Sequence, residues 1–108
     1  MNIVSFIDQL KSVALTEQFI AQELPGVDLG LIEIYMRERV ALDSEIMLFD
    51  AESISNELIM EIDGIKYENF FPLFEAREMV EAYVTEYNNK LNNLDIAKRM
   101  LDYWYQDA

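Results

Sequence analysis

The chemistry open to this chain is limited first by two residue types that it lacks. Its 108 residues include no histidine and no cysteine, so imidazole bases, thiolate nucleophiles and the usual nitrogen and sulfur ligands of zinc are missing. Carboxylates remain, and pairs of carboxylates can transfer protons or hold Mg²⁺ or Ca²⁺. Glu75 and Glu78 are spaced one helical turn apart, which is equally the spacing of a solvated helix face. The solvated face is the simpler interpretation, and we predict no catalytic residue here.

No longer motif gives a stronger chemical signal. The stretch "DGIKYE" lacks the spacing of an EF-hand loop, and a chain with only 3 glycines has no glycine-rich phosphate loop. The Glu-x-x-His element of di-iron bundles cannot occur without histidine. We therefore predict a protein that is not an enzyme and that uses neither a metal nor a cofactor. A metal or catalytic site built from Glu75, Glu78 and the acids of residues 43–63 is the least favoured alternative.

The net charge of the chain is strongly negative. There are 21 Asp and Glu residues against 8 Lys and Arg, which gives a formal charge of −13. Such a field repels phosphate backbones and anionic lipid and attracts basic proteins, although it also serves solubility alone. The chain has neither a basic N-terminal segment followed by an apolar stretch nor a run of about 18 apolar residues. We expect a soluble cytoplasmic protein that binds no nucleic acid and no membrane.

The acidic residues are clustered along the sequence. Between residues 43 and 63 there are seven acids and no Lys or Arg, and three further glutamates recur every three residues on a later helix. Like charges one turn apart destabilise a helix by a few tenths of a kcal/mol, so this row suggests a function other than stability. An acidic surface all around the protein is the alternative. The predicted partner-binding face comprises Asp43, Glu45, Asp50, Glu52, Glu57, Glu75, Glu78 and Glu81.

A β-hairpin centred on residues 58–69 is predicted to hold these acids in place. In "EIDGIKYENFF" the dipeptide Asp63-Gly64 is typical of a two-residue type I′ turn. The turn pairs Glu61 with Lys66 and Met60 with Tyr67, which are favourable cross-strand partners. A hairpin alone is marginally stable, so a third strand at residues 45–49 and flanking helices must cover it.

Helices are predicted at both ends of the chain. Asn2 caps a first helix. A second helical stretch, with Thr16 as a candidate cap, ends at "PG", and it either continues the first helix or follows a turn near Ser12. Pro72 precedes an amphipathic helix, and Asn93 caps the last one. The fold class is therefore α+β in a single domain of residues 1–108, with helices at both termini packed on a small antiparallel sheet of two or three strands.

Residues 29–40 fit two kinds of structure. The apolar residues of "LGLIEIYMRERV" suit a helical stripe, while Ile32, Ile34 and Met36 also alternate as in a strand. We favour the helix because Glu33 and Arg37 would then form an i,i+4 pair in the favourable order.

The aromatic residues Tyr103, Trp104 and Tyr105 are consecutive near the end of the last helix. On a helix they point in three directions that span about 200°, so not all three can enter one core. Packing within the protein is the simpler interpretation, and an interface with a partner or with a second copy in a homodimer is the alternative.

These patterns favour a non-enzymatic acidic domain that binds a basic protein partner. A bacterial immunity protein or antitoxin that neutralises a nuclease works in this manner, because opposite charges accelerate association. The alternative is a small accessory or regulatory domain that self-associates through its terminal helix.

Overall fold

The computed structural model, which describes residues 1–107, confirms the α+β class. The elements in chain order are α1 (Ile3–Leu10), α2 (Val13–Glu23), β1 (Ile32–Arg37), β2 (Ile46–Asp50), β3 (Ile59–Ile62), β4 (Ile65–Pro72), α3 (Leu73–Glu86) and α4 (Asn93–Asp107). All neighbouring strands are antiparallel, and their order across the sheet is β2-β1-β4-β3. The sheet therefore has four strands, where the sequence predicts two or three. Within the described residues, no helix is both long and apolar enough to cross a membrane.

The additional strand is β1, which the sequence analysis interpreted as a helix. Ile32, Ile34 and Met36 are buried in the core on one face of β1, and Tyr35 is fully buried on the other. A strand covered on both faces has an almost continuous apolar sequence, which also fits a helix. Pairing of β1 with both β2 and β4 outweighs the weak local preference that the Glu33 and Arg37 spacing indicated.

The β3–β4 hairpin has the predicted register. Met60 is opposite Tyr67 and Glu61 is opposite Lys66. Asp63 and Gly64 have φ angles of 52° and 79°, as a type I′ turn requires. The hairpin prediction is confirmed, and its second strand continues to Pro72.

The helix boundaries follow from side-chain caps. The Asn2 side chain accepts a hydrogen bond from a backbone N–H in the first turn of α1, as predicted. Ser12 rather than Thr16 caps α2, and the buried Thr16 hydroxyl instead donates to the carbonyl of Gln9 at 2.7 Å. The N-terminal segment therefore forms two short helices separated by a turn, which is one of the two arrangements that the sequence left open.

The two later helices also begin close to the predicted positions. Pro72 ends β4 and directly precedes α3, so its missing N–H costs neither element a hydrogen bond. The cap of α4 is Asn92, one residue before the predicted Asn93, and it accepts from the backbone N–H of Asp95 at 2.8 Å.

Hydrophobic clusters cover both faces of the sheet. The larger lies between the sheet and the four helices. The smaller is built on Tyr35, Met60 and Tyr67 on the opposite face, where Phe49 packs edge-on with its ring centroid 5.5 Å from each tyrosine ring. The Tyr35 hydroxyl donates to the carbonyl of Glu57 at 2.8 Å and so fixes the β2–β3 connection near this cluster. Because both faces of the sheet are covered, its backbone N–H and carbonyl groups are available to another strand at the two edge strands, β2 and β3.

Candidate functional site: the acidic margin of strand β2

Part of the predicted acidic face lies along the edge strand β2. Asp43 and Glu45 precede this strand, Asp50 is its last residue, and Glu52 follows in a single 3₁₀ turn. We call Asp43, Glu45, Asp50 and Glu52 the acidic margin. Because β2 has a neighbouring strand on one side only, the margin marks both ends of an open sheet edge.

Two of the four margin carboxylates have local partners within the protein. The Asp50 side chain accepts from the backbone N–H of Glu52 at 2.9 Å and so caps the 3₁₀ turn Ala51–Ser53. The Glu45 carboxylate lies 3.2 Å from the amino group of Met1. Asp43, Glu45 and Glu52 are exposed. Because Glu45 is paired with the amino group of Met1, Asp43 and Glu52 are the members of the margin most open to a partner.

A second group of acids lies at the corner where β1, β4 and α3 meet. Glu33 is aligned in the sheet with Pro72, three residues before Glu75. The pKa of Glu33 is raised, first by burial and further by the negative charge of Glu75, while a hydrogen bond with Asn69 lowers it. Two carboxylates therefore repel each other across this corner of the sheet.

Glu33 was missed as a site residue by the sequence analysis. A carboxylate flanked by Ile32 and Ile34 is a usable signal, because an acid inside an apolar strand is exceptional. The i,i+4 spacing of Glu33 and Arg37, which favours a helical ion pair, obscures this signal.

The remaining predicted acids belong to other surfaces. Glu57 is exposed in the β2–β3 connection. The pKa of Tyr35 is raised mainly by burial, a hydrogen bond with Asn69 lowers it, and the negative charges of Glu33 and then Glu57 raise it further. Glu78 and Glu81 are exposed on α3, and Glu81 forms an ion pair with Arg77 that offsets its charge. The predicted face therefore divides into the β2 margin, the β1–α3 corner and the outer side of α3.

An apolar cleft of about 380 Å³ adjoins the margin. It lies between the two N-terminal helices and β2, and Phe6 and Phe19 line it with ring centroids 5.4 Å apart. Leu48 lines its β2 side, and the carboxylates of Glu23 and Glu45 belong to the same lining. An apolar surface with carboxylates beside it suits a hydrophobic group that carries or adjoins a positive charge.

The C-terminal aromatic residues point in different directions, as their spacing predicts. Trp104 is partly buried against the main core. Tyr103 is 47% exposed and packs at 6.1 Å from the ring of Phe71, while Tyr105 is 59% exposed and donates its hydroxyl proton to the carbonyl of Val40. Contacts within the protein thus account for much of this cluster, and parts of the Tyr103 and Tyr105 rings stay accessible.

Together these features define a small α+β domain with an acidic sheet edge beside an apolar cleft. No group of three or more acids within residues 1–107 is placed so that it could hold a metal ion. Comparisons of the chain with family models, curated proteins and solved structures find no significant match.

Proposed function

We propose that this protein is a non-enzymatic binding domain whose acidic margin docks on a basic protein partner. The observation that supports the proposal is the position of Asp43, Glu45, Asp50 and Glu52 at the two ends of an open edge strand. Carboxylates at both ends of an exposed main chain attract a positively charged segment and orient it along the strand.

An inhibitory role fits this arrangement best. A net charge of −13 accelerates encounter with a cationic protein, and fast association is what an immunity protein or antitoxin needs against a toxic nuclease. The same charge disfavours direct contact with nucleic acid, so the partner rather than its substrate is the target.

The proposal is tested by neutralising Asp43 and Glu52, the margin carboxylates most open to a partner. The double variant Asp43→Asn, Glu52→Gln keeps side-chain size, and Glu17→Gln, Glu86→Gln is its control, because it removes the same charge from exposed positions on α2 and α3. The tagged wild type is used to capture proteins from native lysate at low salt, and the basic proteins that high salt releases are identified and purified.

The association rate of each identified partner is then measured with the three proteins at two salt concentrations. We expect the rate to fall several-fold for the margin variant, to fall much less for the control, and to decrease with salt for the wild type. A rate that is the same for all three proteins, or one that salt does not change, would falsify the proposal.

Self-association through α4 is the second candidate, and the accessible ring of Tyr103 favours it. Light scattering of the purified wild type and of Tyr103→Glu separates the two functions. A dimer that this substitution dissociates supports the accessory-domain function, and a wild type that stays monomeric at high concentration refutes it.

A further inference from the structure

The main chain of β2 faces its free edge at defined residues. The N–H of Arg37 donates to the carbonyl of Glu45 at 2.9 Å, so Glu45 is bonded toward β1. In an antiparallel pair, alternate residues bond to the same neighbour, and the residues between them face the other side. The N–H and carbonyl groups of Ile46, Leu48 and Asp50 therefore point away from the sheet.

The first of these outward positions is already used by the chain itself. The N–H of Ile46 donates to the carbonyl of Met1 at 2.9 Å, which is the bond an added strand would form there. Leu48 and Asp50 are the next outward positions along β2. The edge thus has the geometry for strand addition beyond the point that Met1 occupies.

The cleft lies on the side where an added strand would place its side chains. Successive side chains of a strand point to opposite faces of a sheet, and Ile46 and Leu48 point toward the helices and line the cleft. Alternate side chains of a strand beside β2 would consequently project over Phe6 and Phe19. An apolar side chain at such a position fills the cleft.

We propose that β2 binds an extended segment of the basic partner as a fifth strand of the sheet. The segment hydrogen-bonds to Leu48 and Asp50, inserts an apolar side chain into the cleft, and places Lys or Arg residues near the acidic margin. This inference rests on the proposed function and names the part of the partner that is recognised. Main-chain bonds supply affinity in such complexes, and the side-chain pocket supplies selectivity.

Charge selects a basic segment over a second copy of this protein. Pairing two β2 strands would bring two acidic margins together, in chains that each carry a formal charge of −13. Like charges on adjacent strands destabilise their pairing, whereas lysines on the added strand stabilise it. The segment that fits the edge therefore alternates apolar and basic residues.

The test uses a fluorescein-labelled synthetic peptide of alternating lysine and leucine, seven residues long, whose binding is followed by fluorescence anisotropy. Two control peptides have the same sequence but carry N-methyl groups either on every leucine amide or on every lysine amide. Charge and side chains are unchanged, and each control lacks the N–H donors of one strand edge. We expect one control to bind at least about tenfold more weakly than the unmodified peptide, and the other to bind as well.

Two variants of the protein address the same contact from the other side. Leu48→Pro and Leu48→Ala both shorten the side chain, but only the proline removes the outward N–H. Proline is tolerated at such a position of an edge strand, and circular dichroism verifies the fold. We expect Leu48→Pro to weaken binding at least about tenfold more than Leu48→Ala does.

Other outcomes overturn the inference. If neither methylated peptide loses affinity, or if the unmodified peptide does not bind, the edge does not take a strand. If light scattering finds a dimer that Leu48→Pro dissociates, the occupant is a second copy. Capture of a partner that salt releases, combined with peptide binding that ignores methylation, rejects strand addition but keeps the proposed function. Conversely, peptide binding that methylation weakens, with no captured partner whose association rate depends on the margin carboxylates, rejects the proposed function but keeps strand addition at β2.

Discussion

The two open edges of the sheet, β2 and β3, differ in how their surroundings restrict pairing. Strand β3 has four residues, and its one charged side chain, Glu61, is exposed and lies opposite Lys66 of β4. Strand β2 has five residues, of which the first four are uncharged, and the acids of the margin lie at or beyond its two ends. Helices α1 and α2 form a cleft beside β2, whereas β3 and its approach leave Leu58 75% exposed and Ile59 49% exposed.

The difference is informative because edge strands promote unwanted association. A short strand with a charged side chain in its interior, as Glu61 in β3, discourages pairing with another strand. Acids at the ends of an apolar strand, as in β2, discourage acidic and neutral segments much more than basic ones. Charged side chains therefore discourage strand pairing at β3, and at β2 they make the edge selective for basic segments.

The largest expected effect comes from proline substitutions at neighbouring positions of β2. The N–H of Met47 faces β1, so Met47→Pro removes a hydrogen bond of the sheet and should destabilise the protein by about 3 kcal/mol or more. The N–H of Leu48 faces outward, so Leu48→Pro should cost markedly less, mainly through lost packing. Urea denaturation of both variants measures the difference. Equal losses would show that the outward direction assigned to Leu48 is wrong.

A pair of glycine substitutions compares the turns near the two edges. Gly26 follows α2 beside the cleft with φ of 81°, and Gly64 lies in the hairpin turn with φ of 79°. No atom lies within 4 Å of a Cβ added at either glycine, so alanine at each position is strained by its backbone angle alone. We expect Gly26→Ala and Gly64→Ala each to cost about 1 kcal/mol.

Hydrogen exchange locates these two effects. Faster exchange should be concentrated in α2 for Gly26→Ala and in the β3–β4 hairpin for Gly64→Ala. A stability unchanged by either substitution would contradict the positive φ angle at that turn.

These elements also show which features could be predicted from the sequence. The β3–β4 hairpin was predictable in register because the Asp63-Gly64 turn alone fixes the pairing of the residues around it. Strand β1 was not, because Tyr35 is buried by Phe49 and by a loop that ends near Glu57, contacts distant in sequence. Local periodicity cannot distinguish a strand buried on both faces from a helix.

The site was predictable only in part for a similar reason. The margin acids are close to one another in sequence, so their clustering was visible as composition. That β2 is an edge strand follows from the strand order, which depends on where β1 and β4 pair. The cleft also requires α2 to lie opposite the β2 edge, a placement that no local pattern specifies.

The Tyr35 hydroxyl tests whether the connection between the two edges is held by one hydrogen bond. Tyr35→Phe removes the donor to the carbonyl of Glu57 while keeping the ring in place. We expect a loss of about 1 kcal/mol in the free energy of unfolding. Hydrogen exchange should accelerate in residues 51–58 more than in β2 or β3. Uniform acceleration over the whole sheet would instead assign the bond a role in global stability.

The smallest expected effect concerns Glu33, and its sign depends on pH. Because burial raises its pKa, the folded chain binds this proton more tightly than the unfolded chain, whose ordinary value is 4.5. The stabilising contribution of the protonated group is thus complete below pH 4.5 and is lost as the pH rises through the folded pKa. Glutamine does not ionise, so Glu33→Gln removes both this pH-dependent loss of stability and the repulsion between Glu33 and Glu75. At pH 7 we expect the variant to exceed the wild type in stability by a few tenths of a kcal/mol.

Glu17→Gln is the matched control for this substitution, since Glu17 is exposed on α2 and has no charged residue one helical turn away. Thermal unfolding at several pH values should show that the advantage of Glu33→Gln over the wild type shrinks as the pH falls toward 4, whereas the control shows no comparable trend. If Glu33→Gln is instead less stable at pH 7, the hydrogen bond with Asn69 outweighs burial and repulsion. The carboxylate of Glu33 would then stabilise the sheet. The acidic corner would have no cost in stability, so no binding function would be needed to account for it.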